Sequence, residues 1–229
     1  MLIIFDLDDT LLETTGTIAP FKLEQFFHVI LQEESSLDKE ELATLLRLNQ
    51  GSQSSINAIL EYLEIKGFPK AKLDHFLQIF KKNVDFPEDI DLVSGVKETL
   101  FDFVQQHDVA VVTRGRKEFQ LKKLDFLPVP KEQFVEVRVV EVGSKYQAYQ
   151  EIQKKLAVPT FEVLVVGDRV DMDLLPAKQL GFLTVHMQNG RGLRVQIEKD
   201  GIVDYQICSL NQLSAIIQDI QIKNFLRIL

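Results

Sequence analysis

The chain reads as an α/β protein: a Rossmann-like parallel sheet with helices on both faces, interrupted after its first strand by an all-helical insert. Three observations lead there. Short, branched apolar runs ending in charged or polar turns recur along the chain, as strands buried on both faces do. Helical patterns fall between these runs, and strands alternating with helices build parallel βαβ units. One long stretch, residues 14–92, carries helical periodicity and no good strand.

The elements follow in order. Leu2-Ile3-Ile4-Phe5 is the first strand, cut off by Asp6. Within the insert, Leu23, Phe26, Phe27, Ile30 and Leu31 repeat at helical spacing. So do Leu42, Leu45 and Leu46, placed after Asp38 with Glu41 where a capping box would put it. Ile56, Ile59, Leu60 and Leu63 form a third stripe, and Leu73, Phe76, Leu77 and Phe80 a fourth. Four such helices can bury their stripes on one another, and their aromatic residues read as core. Thr14–Pro20 and Val84–Leu92, rich in loop formers, are the expected hinges. The expected division is therefore a core of residues 1–13 and 93–229 around an insert of residues 14–92. Further strands are expected at Val109–Val112, Val163–Val166 and Leu183–Val185, with a weaker one within Phe134–Val140.

Composition narrows the function. The 229 residues are 45% hydrophobic and 26% charged, which excludes a disordered or fibrous chain. A formal net charge of −8 leaves no basic footprint for nucleic acid and no polybasic membrane anchor. No apolar run approaches the roughly 20 residues of a membrane helix, and acids follow the opening apolar run too soon for a secretory signal. A cytoplasmic protein is expected. Cys208, the one cysteine, excludes an intrachain disulfide framework and reads as a small core hydrophobe. The histidines (His28, His75, His107 and His186) lack close metal-ligand spacing, which argues against zinc.

Acids stand at the ends of two strands. In Asp6-Leu7-Asp8-Asp9-Thr10, alternation along an extended segment points Asp6 and Asp8 the same way. Two like charges about 4 Å apart cost roughly 1 kcal/mol even in water. Such a pair is kept where a cation binds it or one acid holds a proton. Gly167-Asp168-Arg169-Val170-Asp171-Met172-Asp173 repeats the theme after Val163–Val166, without the glycine and final glutamate of a calcium loop. Ligands of open α/β sheets bind beyond the carboxyl ends of the strands. If the two strands are neighbours, Asp6, Asp8 and Asp168 converge on one point. An oxygen-only donor set of this kind suits Mg²⁺, which usually works on phosphates. Thr113-Arg114-Gly115, ending the Val109–Val112 run, brings a hydroxyl and a flexible amide-rich turn to the same edge. Lys145 opens the helical pattern of Tyr146, Tyr149, Ile152 and Leu156.

These features together resemble the haloacid dehalogenase superfamily of aspartate-nucleophile phosphatases. Its first motif, a strand followed by DxDx[TV], is matched by Asp6, Asp8 and Thr10. Its second, a strand ending in Thr or Ser, is matched by Thr113, and its third, a lysine opening a helix, by Lys145. Its fourth, a strand ending in GD with a further acid three to five residues on, is matched by Gly167-Asp168 with Asp171 or Asp173. Asp173 is preferred because its spacing to Ala177-Lys178 resembles the family's usual run. Arg114 departs from the family, which often has a small or amide residue there. The helical insert resembles the family's first-class cap, and the 31 residues between Thr113 and Lys145 are too few for the larger second-class cap.

The resemblance implies a Mg²⁺-dependent phosphatase acting on a small phosphorylated metabolite through an aspartyl-phosphate. It implies Asp6 as nucleophile and Asp8 as acid and base. Thr113 and Lys145 would grip the phosphoryl group beside Arg114 and Gly115. Asp6, Asp8 (through its backbone carbonyl), Asp168 and Asp173 would hold the metal, and Thr10 would brace the loop. Counting Asp6, Asp168 and a phosphate dianion against Mg²⁺ and Lys145 leaves the site within one charge of neutral. A phosphomutase uses the same aspartates and stays open, as does a non-catalytic protein of the same fold. A dehalogenase is disfavoured by Asp8, since carbon–halogen cleavage needs no leaving-group acid. A receiver domain places its acceptor on a mid-chain strand and lacks the insert.

Overall fold

In a computed structural model of the chain, the described residues are 1–34, 36–83, 85–194 and 201–228. They divide into two compact units, residues 1–13 with 91–229 and residues 14–90.

The first unit is built on a six-stranded, all-parallel sheet in the order β3-β2-β1-β4-β5-β6. Its strands are β1 (Leu2–Phe5), β2 (Asp108–Arg114), β3 (Glu136–Val140), β4 (Val163–Gly167), β5 (Leu183–Met187) and β6 (Tyr205–Ile207). Leu2–Phe5 and Val163–Val166 are fully buried, which requires cover on both faces of the sheet. Alternation assigns the faces. Leu2, Ile4, Ala110, Val112, Val163 and Val165 pack with Tyr149, Ile152 and Ala177 from the helices beside them. Phe5, one step along β1, points the other way and meets Phe103, ring centroids 6.4 Å apart. The Rossmann-like α/β core expected from the strand–helix alternation is thus present.

Among its described residues the second unit has helices joined by loops and no strand. It contains α1 (Ala19–Glu33), α2 (Leu42–Gly51), α3 (Ser55–Ile65) and α4 (Lys70–Lys82). The four sequence stripes meet in one cluster in which Leu23, Phe27, Leu45, Ile59, Leu63 and Phe76 are buried. Thr14–Pro20, expected as a loop-forming hinge, is helical: Thr14–Ile18 winds as a wide π-type turn running into α1, whose first turn accepts Pro20 because the proline nitrogen needs no partner there. One local expectation fails. Glu41 does not close a capping box. Asp38 caps the backbone N–H of Glu40, while the Glu41 carboxylate accepts from the buried Tyr62 hydroxyl at 2.6 Å and pairs with Lys66. Val84, the first residue of the other expected hinge, lies outside the described residues.

The core unit's helices are α5 (Val96–Gln106), α6 (Lys117–Lys123), α7 (Tyr146–Leu156), α8 (Leu175–Gln179) and α9 (Leu213–Ile228). Helix α6 leaves the end of β2, and α7 carries the chain from β3 across to β4. That crossing reverses the strand order between β1 and β4, and the crevice at such a reversal is where open sheets bind ligands. Cys208, expected in the core, is exposed just after β6, its thiol on the Gln188 side-chain oxygen at 3.1 Å. Among the described residues no helix is long and apolar enough to cross a membrane.

Candidate active site

The carboxyl ends of β2, β1 and β4 lie side by side and carry Thr113, Asp6 and Asp168. Asp6 extends β1 by one residue, its N–H donating to the Val166 carbonyl at 2.9 Å. The chain then turns sharply. The N–H groups of Leu11 and Leu12 both donate to the Leu7 carbonyl, and Asp9 takes a left-handed φ of 56°, which aspartate tolerates better than most residues. Thr10 is buried within this turn, but its hydroxyl has no hydrogen-bond partner among the described residues, so it does not brace the loop as expected.

Three buried carboxylates converge. One oxygen each of Asp6, Asp168 and Asp173 lies within 4.8 Å of the others. The wide turn over Val170–Leu174 brings Asp173 back under the end of β4, where its Oδ2 accepts from the Arg169 N–H at 3.0 Å. Gly167 permits this approach, since a Cβ there would stand 2.6 Å from Asp173 Oδ2. Lys145, entering from the start of α7, donates to Asp6 Oδ1 at 2.5 Å and pairs with Asp173 Oδ1 at 2.6 Å. Asp171 and Asp173 make different contacts. Asp171 turns to Arg169, accepting from both Nε and Nη2 at 3.1 Å.

Burial governs the electrostatics. It pushes Asp6 up to about 7 against the pull of Lys145, with Asp173 and Asp8 adding to the rise. Burial, then the neighbouring carboxylates of Asp173, Asp6 and Asp9, hold Asp168 well above the usual carboxylate range. For Lys145, burial works against the ammonium, and Asp173 and Asp6 outweigh it, so its value lies well above the ordinary one. At an effective dielectric near 20, two like charges 4 Å apart repel by about 4 kcal/mol. One ammonium therefore does not neutralise three carboxylates. Asp173 also adds a negative charge that the near-neutral sequence count omitted.

Asp8 does not join this cluster as strand alternation suggested, because the turn rotates its carboxylate toward α6. Its Oδ2 accepts from Gln120 Nε2 at 2.8 Å, and its Oδ1 is ion-paired with Lys123. The same Gln120 nitrogen donates to Thr113 Oγ1 and lies 3.2 Å from the Arg114 carbonyl. Gly115 extends the ladder, its N–H donating to the Val140 carbonyl. Sequence reasoning missed Gln120 and Lys123. The available signal was position: α6 starts at the strand edge that holds the acids, so its first turns face them. It also missed the loop after β5. Gly192 N–H donates to Asp168 Oδ2 at 3.2 Å, and a Cβ at that glycine would stand 1.9 Å from the Asp168 carbonyl oxygen. The buried His186 ring meets that same carbonyl through Nε2 at 2.9 Å.

A parallel sheet with acids at its carboxyl edge, a lysine on the crossover helix and a hydroxyl on the next strand makes this a Rossmann-like α/β protein with an acid-lined site at that edge. The protein-family model for haloacid dehalogenase-like hydrolases matches residues 3–187, and the chain belongs to that family. A stretch of 68 residues is 38% identical to glyceraldehyde 3-phosphate phosphatase of Methanocaldococcus jannaschii, covering 30% of this chain and 29% of that protein. The chain thus matches under a third of the length of that curated relative. Among solved structures, a protein of Haemophilus somnus described as a predicted phosphoglycolate phosphatase superposes with a TM-score of 0.72 at 18% identity, over 94% of this chain and 96% of that one. A HAD-hydrolase of Bacillus subtilis bound to magnesium gives 0.69 at 20% identity, over 94% and 97%. At such identities the structures show the shared fold.

Proposed function

We propose that the chain is a magnesium-dependent phosphatase that hydrolyses a small phosphorylated metabolite through an aspartyl-phosphate on Asp6. The observation that carries this reading is the buried Asp6–Asp168–Asp173 cluster with Lys145 reaching two of its members. The donor set fits Mg²⁺: oxygen atoms alone, buried, and short of positive charge. Asp6, Asp168 and Asp173 would hold the ion, with the Asp8 backbone carbonyl. Bound there, it would offset the charge of the phosphoryl group and of the carboxylate attacking it.

The chain's own groups divide the remaining work. The Asp6 carboxylate attacks phosphorus and the bond to the leaving oxygen breaks. Asp8, entering this step protonated, gives that oxygen its proton and becomes the carboxylate. In the second half Asp8 takes a proton from water, which attacks the aspartyl-phosphate, freeing inorganic phosphate and restoring Asp6. Thr113 and Lys145 hold phosphoryl oxygens, with Arg114 and Gly115 beside them. The helical unit, which stands in the sequence where the family's first-class cap does, selects the leaving group. The test is release of inorganic phosphate from p-nitrophenyl phosphate with Mg²⁺ present and after chelation. Release that needs Mg²⁺ supports the reading, no release with it contradicts the reading, and transfer within a sugar phosphate without release would favour a mutase.

A further inference from the structure

Beside Lys145 the core unit has an open pocket of about 280 Å³ lined by Arg114, Gly143, Ser144, Lys145, Asp171 and Met172 among others, with Arg114 and Ser144 exposed at its mouth. Small-molecule pockets run from about 300 to 1,000 Å³, so this space is near the size for a compact metabolite and larger than a single phosphoryl group requires.

Its charges are unequal. Lys145 pairs with Asp6 and Asp173 and is assigned to the transferred phosphoryl group. The Asp171 carboxylate is matched by the Arg169 fork, so this wall does not present a bare negative charge. Arg114 is different. Among the described residues its guanidinium makes one hydrogen bond, from Nη1 to the Met172 thioether at 3.4 Å, and no ion pair. A thioether is a weak acceptor, so most of this exposed guanidinium's five donors are open to water or to a ligand. Ser144 Oγ accepts from the Tyr146 N–H at 3.2 Å, and its own hydroxyl hydrogen remains as a donor at the same wall. Arg114 is also fixed at its root, because Gln120 Nε2 approaches its carbonyl and strand β2 holds its backbone. A guanidinium with free donors suits the planar, bidentate geometry of a carboxylate and also grips phosphate.

We propose that Arg114, with Ser144, forms a subsite for a second anionic group, so that the preferred substrates are phosphate monoesters carrying a further carboxylate or phosphate a few bonds from the ester. The proposal rests on the phosphatase reading for the word substrate, but the recognition it describes is measurable as binding alone. The subsite selects by charge at the end away from the transferred group.

The experiment measures both. With Mg²⁺ present, calorimetry compares propylphosphonate with 3-phosphonopropanoate, matched except for the terminal carboxylate, and with ethylene-1,2-bisphosphonate. Phosphate release is measured in parallel on the corresponding phosphate esters. An analogue with a second anionic group is expected to bind at least tenfold tighter than propylphosphonate, and the arm that gains more tells carboxylate from phosphate. In Arg114→Met that ratio should collapse toward one, and Arg114→Lys should restore it only in part. Equal binding of the analogues with and without the second anionic group overturns the proposal, as does failure of all of them to bind. So does a parallel loss for every analogue in Arg114→Met, which would place Arg114 on the transferred group. Discrimination without phosphate release keeps the subsite and overturns the phosphatase reading; release without discrimination does the reverse.

Discussion

Lys123, whose side chain is 3% exposed, is ion-paired with the Asp8 carboxylate, a residue 115 positions earlier in the chain. Gln120, one turn back on the same helix, holds the other oxygen and also the Thr113 hydroxyl. Helix α6 therefore ties the proposed acid–base residue to the proposed phosphoryl grip.

That tie makes α6 a positioning element for Asp8. General acid–base groups contribute about 10²–10⁴-fold, and only when held within hydrogen-bond reach of their proton. Lys123→Met and Gln120→Ala should each lower kcat by about 10–100-fold on esters with poor leaving groups, while KM changes less than about threefold. Esters with good leaving groups should be affected less. Steady-state kinetics on both ester types checks this, and an unchanged kcat on the poor leaving group would refute it.

The raised value of Asp6 sets a pH dependence. Its carboxyl is pushed up to about 7 from a usual 3.8 by burial. Because the folded value exceeds the unfolded one, its contribution to stability is present at pH below about 4 and is lost as pH rises to about 7. A bound cation needs the deprotonated carboxylates and opposes that loss. Melting of the metal-free protein should therefore fall relative to Asp6→Asn between pH 4 and 7. Added Mg²⁺ should raise Tm by at least about 3 °C more at pH 8 than at pH 5.5, since 1 kcal/mol shifts Tm by roughly 2–4 °C in a chain this size. An equal shift at both pH values would count against the carboxylate site.

Tyr149 is fully buried one turn beyond Lys145 on α7, and its hydroxyl has no hydrogen-bond partner among the described residues. An unsatisfied buried polar group costs about 1–3 kcal/mol. Tyr149→Phe should raise Tm by a few degrees and leave kcat near the wild-type value. A lower Tm would show that the hydroxyl is satisfied.

The sequence carried the parts of the fold set by short-range pattern. Val163–Val166 and Leu2–Phe5 were legible as strands because burial on both faces leaves no polar position in them. Asp6, Thr113, Lys145 and Asp168 stood out in the sequence because each sits at a strand or helix end, and such ends meet at one sheet edge, whereas Asp173 stood out only through the family resemblance. Gln120 and Lys123 were not, because polar residues three apart on a short helix look like a solvated face until the sheet places them. Strand β6, at Tyr205–Ile207, is too short to leave a pattern. Glu41 illustrates competition: its spacing suits a cap, but the Tyr62 hydroxyl, with Lys66, claims its carboxylate. The Asp8 carboxylate turned away because alternation holds only while the chain stays extended, and the chain reverses at Asp9.

The most direct measurement compares wild type with Asp6→Asn for Mg²⁺-dependent phosphate release, alongside acid-quenched single-turnover trapping of protein-bound phosphate. The account predicts covalent phosphate in wild type, none in the variant, at least a thousandfold loss of turnover on the scale of about 10³ or more that such groups supply, and an unchanged circular dichroism spectrum. Turnover near wild type in Asp6→Asn, with the fold intact, would contradict it.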